Sequence, residues 1–285
     1  MASLKDLRRR IRATKSMQQI FKAMEMVAAA KLRRAQQRAQ ASGPYSEKIG
    51  AMLANLAGAA SDLDHPLFKV REVRTSALMV ITSDRGFAGA YNTNVLRAAE
   101  ERLRSAPRGA FRVVAVGRKG HDYLRRRGYT ILASYTDLPG EASLDFARRL
   151  TDDLTARFIS GEVDRIELLY SHFVNALVRR VRSEVFLPVG AGGTTAAPQD
   201  RGTIFEPDAE GIFAELLPRY ATAKLYAALA DALASEHSAR MVAMGSARKN
   251  AGELVDSLTL TRNRLCQAAI TREIAELVGG AEALK

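Results

Sequence analysis

The stretch with the strongest claim to chemistry is Ile81 to Asn94, ITSDRGFAGAYNTN, a polar turn with two glycines that follows an apolar run. Gly86 and Gly89 would let backbone N–H groups approach a phosphate, and a doubly wound fold places its first ligand loop at such a point. The spacing is Gly-x-x-Gly rather than Gly-x-Gly-x-x-Gly, and no Walker A lysine follows, so a structural turn is the favoured reading. Gly117-Arg-Lys-Gly120 is a second phosphate-friendly turn, of a kind that arises often by chance. His65, His121, His172 and His237 stand at no metal-ligand spacing. Cys266 is the single cysteine; it excludes an internal disulfide and sits in a helical pattern where packing is favoured over reaction. There is no Gly-x-Ser-x-Gly, and Asp152-Asp153 falls on a predicted helix as a solvated pair. These residues support no independent catalysis, and no cofactor or metal is expected.

The elements that would position these residues are of two kinds. From Thr75 to Pro188 the pattern alternates: strands at Ser76–Thr82, Phe111–Val116, Tyr129–Ser134 and Arg165–Phe173, helices at Thr93–Ser105, Lys119–Arg127 and Ser143–Ser160. Apolar strands alternating with helices predict a small, mostly parallel, doubly wound sheet covered on both faces. Val178–Leu187 alternates polar with apolar residues and suits an antiparallel edge strand. Residues 190–202, rich in Gly, Ala and Thr, read as a loop or linker.

On either side lie long helical patterns. In the last 78 residues, 208–285, Ala223, Ala227, Ala230, Ala234, His237, Met241, Met244, Arg248, Ala251, Val255, Leu258, Arg262, Leu265 and Ala269 keep a 4-3 spacing, a heptad seam. Roughly 70 residues at 1.5 Å each make a rod of about 105 Å, too long to hide in a globule. Near the start, Leu4, Leu7, Ile11, Thr14, Met17, Phe21, Met24, Val27 or Ala28, Lys31 and Ala35 form one apolar stripe on a basic cylinder, with Ser3 as N-cap and Gly43-Pro44 as an expected kink or local unwinding. The expected architecture is therefore an α/β fold. An antiparallel coiled coil of the two terminal helices (1–60 and 208–285) flanks a Rossmann-like domain (75–188) and a linker (189–207).

The composition carries 43 Lys+Arg against 31 Asp+Glu, a net +12 that calls for an acidic partner. The excess is concentrated at the start: eleven basic residues up to Gln40, from Lys5 to Arg38, face only Asp6 and Glu25. One class this permits is a basic coiled-coil nucleic-acid-binding protein. Against it, the arginines share their helix with a continuous apolar stripe and the second long helix lies elsewhere in the chain, whereas a bZIP dimerises through its own zipper. The basic start lacks the apolar core of a secretory signal, and no run is long enough to span a bilayer.

Four segments, KAMEMVAAAK at Lys22–Lys31, SDRGFAG at Ser83–Gly89, SEHSARMVAM at Ser235–Met244 and QAAIT at Gln267–Thr271, resemble the gamma subunit of F-type ATP synthase, in the same order from end to end. The resemblance implies a non-catalytic rotor shaft. Its coiled coil would turn inside a hexamer of alpha and beta subunits, and its α/β domain would meet the epsilon subunit and the membrane ring of c subunits. It implies no nucleic-acid partner, and a peripheral place on the cytoplasmic side of a bacterial inner membrane. It marks Met24 as lying near the beta lever, and Gln267 and Thr271 as contacts near the top of the shaft. Arg9, Arg34 and Arg85 join them as candidate rotor–stator contacts, and Ile11, Phe21, Met241, Met244, Leu258 and Leu265 are expected in the seam. Cys266 stands where the family often has arginine, and the plastid insertion with its regulatory cysteine pair is absent.

Overall fold

The computed structural model describes residues 3–59, 65–107, 109–190 and 209–282. Its elements are α1 (Leu4–Ala59), β1 (Ser76–Ile81), α2 (Tyr91–Arg104), β2 (Phe111–Val116), α3 (Arg118–Arg126), β3 (Ile131–Tyr135), α4 (Leu144–Ile159), β4 (Arg165–Phe173), β5 (Arg179–Leu187) and α5 (Ala209–Glu282). Ser3 caps α1 as its sequence predicts: the Asp6 amide donates to Ser3 Oγ at 3.2 Å, and that hydroxyl donates to the Asp6 carboxylate at 3.0 Å. The helix continues unbroken through Gly43-Pro44, and α5 likewise carries Pro218 inside it. Proline removes one backbone donor and crowds the carbonyl four residues back, yet both helices run on through it. The loop expected at 190–202 lies, after Gly190, outside the described residues.

The chain forms two compact units, and each long helix contributes to both: Met1–Val27 with Met241–Lys285, and Ala28–Arg240. In the first unit the two helical segments run antiparallel. Gln18 faces Gly252, and Glu25 faces Gly245 and Arg248, with Arg248 Nε donating to Glu25 Oε2 at 2.8 Å. Leu7, Ile11 and Thr14 are buried on one segment, Met244, Ala251 and Val255 on the other. Phe21, Met24, Met241 and Leu258 are half-buried.

The seam departs from a strict heptad at two places. Met17 is 47% exposed while Gln18 turns inward, and Leu265 is 37% exposed while Cys266 is half-buried. An α-helix drifts about 20° per seven residues relative to an exact heptad. After three heptads from Met244, position 266 therefore lies closer to the seam than position 265.

In the second unit a five-stranded sheet has the order β3-β2-β1-β4-β5. β1 pairs in parallel with both β2 and β4, β2 pairs in parallel with β3, and β5 closes the edge antiparallel to β4. Alternation along the strands sends Leu78, Val80, Val113, Ala115 and Leu169 to a face covered by α2 and α3. The opposite face carries Ala77, Met79, Ile81, Val114, Val116, Ile166 and Leu168. It is covered by Leu150, Leu154 and Phe158 of α4 and by Leu217, Ala221, Leu225, Ala228, Leu229 and Ala232 of α5. Ile49 and Leu53 of α1 join that layer. The first part of α5 is therefore a covering helix of the sheet as well as an arm of a helix pair. Ala223, Ala230 and Ala234 are buried too, so its apolar surface is wider than the alanine stripe.

Candidate functional site

The glycine turn before α3, Gly117–Gly120, is filled by the protein's own groups. Thr82 backs onto Gly117 and Gly120: a Cβ at Gly117 would lie 2.4 Å from the Thr82 carbonyl oxygen, and one at Gly120 would lie 2.7 Å from Thr82 Oγ1. At the start of α3, the Arg118 amide donates to Asp84 Oδ1 at 2.8 Å, the Lys119 amide to the Ser83 carbonyl at 3.0 Å, and the Gly120 amide to Thr82 Oγ1 at 2.9 Å. Asp84 Oδ2 accepts from the Leu138 amide at 2.6 Å. The donors that a phosphate would need are thus spent on Asp84 and its neighbours, and the carboxylate takes the place of an anion at the helix terminus. Gly117-Arg-Lys-Gly120 is thereby a structural turn. Among the described residues no cluster of His, Cys, Asp or Glu could hold a metal ion.

The site the fold builds is instead a clamp around α5, from Lys224 to Arg240. Lys224 Nζ donates to the Val185 carbonyl on β5 at 2.7 Å. Asp231 accepts from the Phe173 amide at 2.8 Å and pairs with His172 Nδ1 at the end of β4. Ser238 Oγ donates to the Ala176 carbonyl at 2.6 Å and accepts from Arg179 Nη1 at 3.0 Å. Lys224, Asp231 and Ser238 are one heptad apart, so they form a polar stripe along one side of α5, aimed at β4, β5 and the turn between them. The next flank is held by the DRG turn: Arg240 Nη2 donates to the Gly86 carbonyl at 3.2 Å and to Glu236 Oε1 at 2.6 Å. Ala88, Tyr91 and Ala239 pack beside that contact.

Burial sets the electrostatics of this clamp. It pushes the Lys224 ammonium below its ordinary pKa and the Asp231 carboxyl above its own, while the bonds to His172 and Phe173 pull Asp231 back. His237, 5% exposed, is pushed down to about 4 by burial first and then by the nearby Arg240 and Lys31 charges. On a third side, Arg34 and Arg38 of α1 both pair with Glu141 in the loop between β3 and α4.

Sequence reasoning placed the SEHSAR segment correctly on a long helix but missed its role. The readable signal was three polar residues one heptad apart in an alanine-rich helix.

The six proposed contact residues are divided between the two units. Arg85 is exposed in the DRG turn, and Arg34 is exposed and engaged with Glu141, both in the second unit. In the first unit Arg9 is exposed and pairs with Asp6, Met24 is half-buried, and Gln267 and Thr271 are exposed.

The ATP synthase family model matches residues 3–284. Full-length relatives are the ATP synthase gamma chains of Desulforamulus reducens (47% identical) and Moorella thermoacetica (46% identical), each matched over 100% of both chains. The chain belongs to the ATP synthase gamma family. None of these relatives supports the nucleic-acid reading. Among solved structures, a chain of the Euglena gracilis mitochondrial ATP synthase OSCP/F1/c-ring assembly, in rotational state 3, shares the fold. It has a TM-score of 0.71 and 19% identity, over 99% of this chain and 94% of that one. A chain of the Tetrahymena thermophila mitochondrial ATP synthase central stalk/c-ring also shares it, with a TM-score of 0.63 and 24% identity, over 80% of this chain and 99% of that one.

Proposed function

We propose that the chain is the central rotor shaft of an F-type ATP synthase, coupling proton flow through a membrane ring to ATP synthesis and hydrolysis on other subunits. The full-length match to gamma chains supports the family assignment, and the polar stripe Lys224–Asp231–Ser238 is the observation that carries the mechanism. A shaft must receive torque from the α/β domain and pass it along a helix without slipping. A helix held only by apolar contacts can roll, because those contacts are non-directional. Directional bonds at 224, 231, 238 and 240, two of them to backbone carbonyls of β5 and of the β4–β5 turn, oppose that roll.

In this reading the chain makes no bonds itself. The alpha and beta subunits surround the coiled coil (1–60 and 208–285), and the α/β domain (75–188) meets epsilon and the c ring, with 189–207 linking them. The complex lies on the membrane through the ring, on the cytoplasmic side of a bacterial inner membrane. Among the described residues no helix is long and apolar enough to cross a membrane. Met24, Arg9, Arg34, Arg85, Gln267 and Thr271 are the proposed contacts with the stationary subunits. Exposed arginine pairs of this kind contribute about 0–1 kcal/mol each, weak enough to be broken and remade at each station. The test is reconstitution: an alpha–beta hexamer should hydrolyse ATP with sustained rotary turnover only when this chain is added. Full turnover without it, or failure to assemble with it, would overturn the proposal.

A further inference from the structure

The structure assigns a second role to the basic first helix: we propose that a groove in the Met1–Val27/Met241–Lys285 unit binds a short polyphosphate anion. The groove, about 360 Å³, is lined by Arg8, Ile11, Arg12, Lys15, Ser16, Gln19 and Arg262. Four of these seven side chains are cations, and no carboxylate lines it. The carboxylates nearest in sequence on α1 are engaged elsewhere, Asp6 by Arg9 and Ser3, and Glu25 by Arg248. Arg262 turns its guanidinium to the side-chain oxygen of Asn263, a neutral acceptor, at 2.8 and 3.2 Å. No ion pair joins Arg8, Arg12, Lys15 or Arg262 to a described residue. Four like charges facing one concavity raise its potential, and a multivalent anion relieves it.

The geometry selects the class of anion. Arg8, Arg12 and Lys15 recur at four and three residues, so they share one face of α1 and span about 10 Å along it. Arg262 stands across the groove on α5. That span suits linked phosphates better than a single one. Arginine forks engage phosphate oxygens in pairs, and Ser16 and Gln19 add neutral donors. That match of span to linked phosphates favours a small polyanion over an acidic polypeptide.

The test is calorimetric titration of the full chain with inorganic tripolyphosphate, and with monophosphate for comparison. Saturable one-to-one binding of tripolyphosphate, at least tenfold tighter than monophosphate, is expected. Arg12→Gln and Arg262→Gln should each weaken it by about tenfold, the loss of a charge-assisted contact. The charge-matched Arg125→Gln and Arg126→Gln, on α3, should leave it unchanged. Equal affinity for the two phosphates, a comparison that needs no variant, would overturn the proposal. So would equal losses in the α3 controls, which would mean general attraction to a basic chain. Tighter, Arg262-dependent binding of a poly-glutamate peptide would give the groove to a polypeptide instead.

Discussion

Asp84 is the residue whose role the structure changes most. Its carboxylate ties the start of α3 to the loop before α4 through two backbone amides, and hydrogen bonds to charged groups contribute about 1.5–3 kcal/mol each. Asp84→Ala should therefore destabilise the full chain by roughly 3 kcal/mol in urea unfolding; a loss below about 1 kcal/mol would mean that water replaces the carboxylate. Gly117 supports the same turn from the other side. Its φ of 93° is unfavourable for any side chain, and a Cβ would meet the backbone of Thr82. Gly117→Ala should cost about 3 kcal/mol or more. His237 makes a third claim, on pH. It is neutral in the fold and held at about 4, against an ordinary value of 6.5, among Lys31, Arg240, Glu141 and the Gly140 backbone. Between those values the unfolded chain binds the extra proton. The stability from a neutral His237 is therefore complete above pH 6.5 and lost as pH falls toward 4, by about 3 kcal/mol in all. Asp231, raised by burial, acts in the opposite sense, so the measurement must be a difference. His237→Asn should lose less stability than the parent chain between pH 7 and pH 4.5, and parallel pH profiles would refute the assignment.

At the scale of elements, the strands were legible because each carries its own signal. Phe111–Val116 and Arg165–Phe173 appear with the boundaries that their apolar runs predict, and β5 takes the antiparallel edge that its alternation predicts. The partner of α5's first half was not legible. An alanine stripe fits a close helix pair, but Leu217, Leu225 and Leu229 lie on another side of the same helix and belong to the sheet's core. A helix buried on several sides has no single apolar face, so periodicity alone cannot say which face meets which neighbour. Gly245 and Gly252 were likewise unreadable: nothing in the sequence says that Glu25 and Gln18 fill the space above them. That packing gives a graded prediction. An alanine Cβ at Gly252 would touch only the Gln18 amide tip at 2.9 Å, which can swing aside, and alanine gains about 1 kcal/mol of helix propensity. Gly252→Ala should leave the melting temperature unchanged or raised, whereas Gly252→Leu should lower it by displacing Gln18 and parting the helices.

For the whole molecule, the question is which bonds carry torque as opposed to stability. The apolar face of α5 keeps the helix on the sheet, and burial of that kind is indifferent to small rotations about the helix axis. The polar stripe is not indifferent, since a hydrogen bond weakens steeply once its angle falls below about 120°. Removing the stripe should therefore separate two properties that usually fail together. In a chain carrying Asp231→Asn and Ser238→Ala, the sheet core is untouched and assembly with the catalytic subunits should persist. ATP hydrolysis by the assembled complex should stay within about twofold of the parent, because hydrolysis takes place on the other subunits and the apolar face of α5 still holds the helix to the sheet. Proton pumping driven by that hydrolysis, read as quenching of a pH-sensitive dye in inverted vesicles, should fall much further. A fall in pumping that merely matched the fall in hydrolysis would place the torque path in the apolar contacts, and the clamp would then be a feature of folding alone.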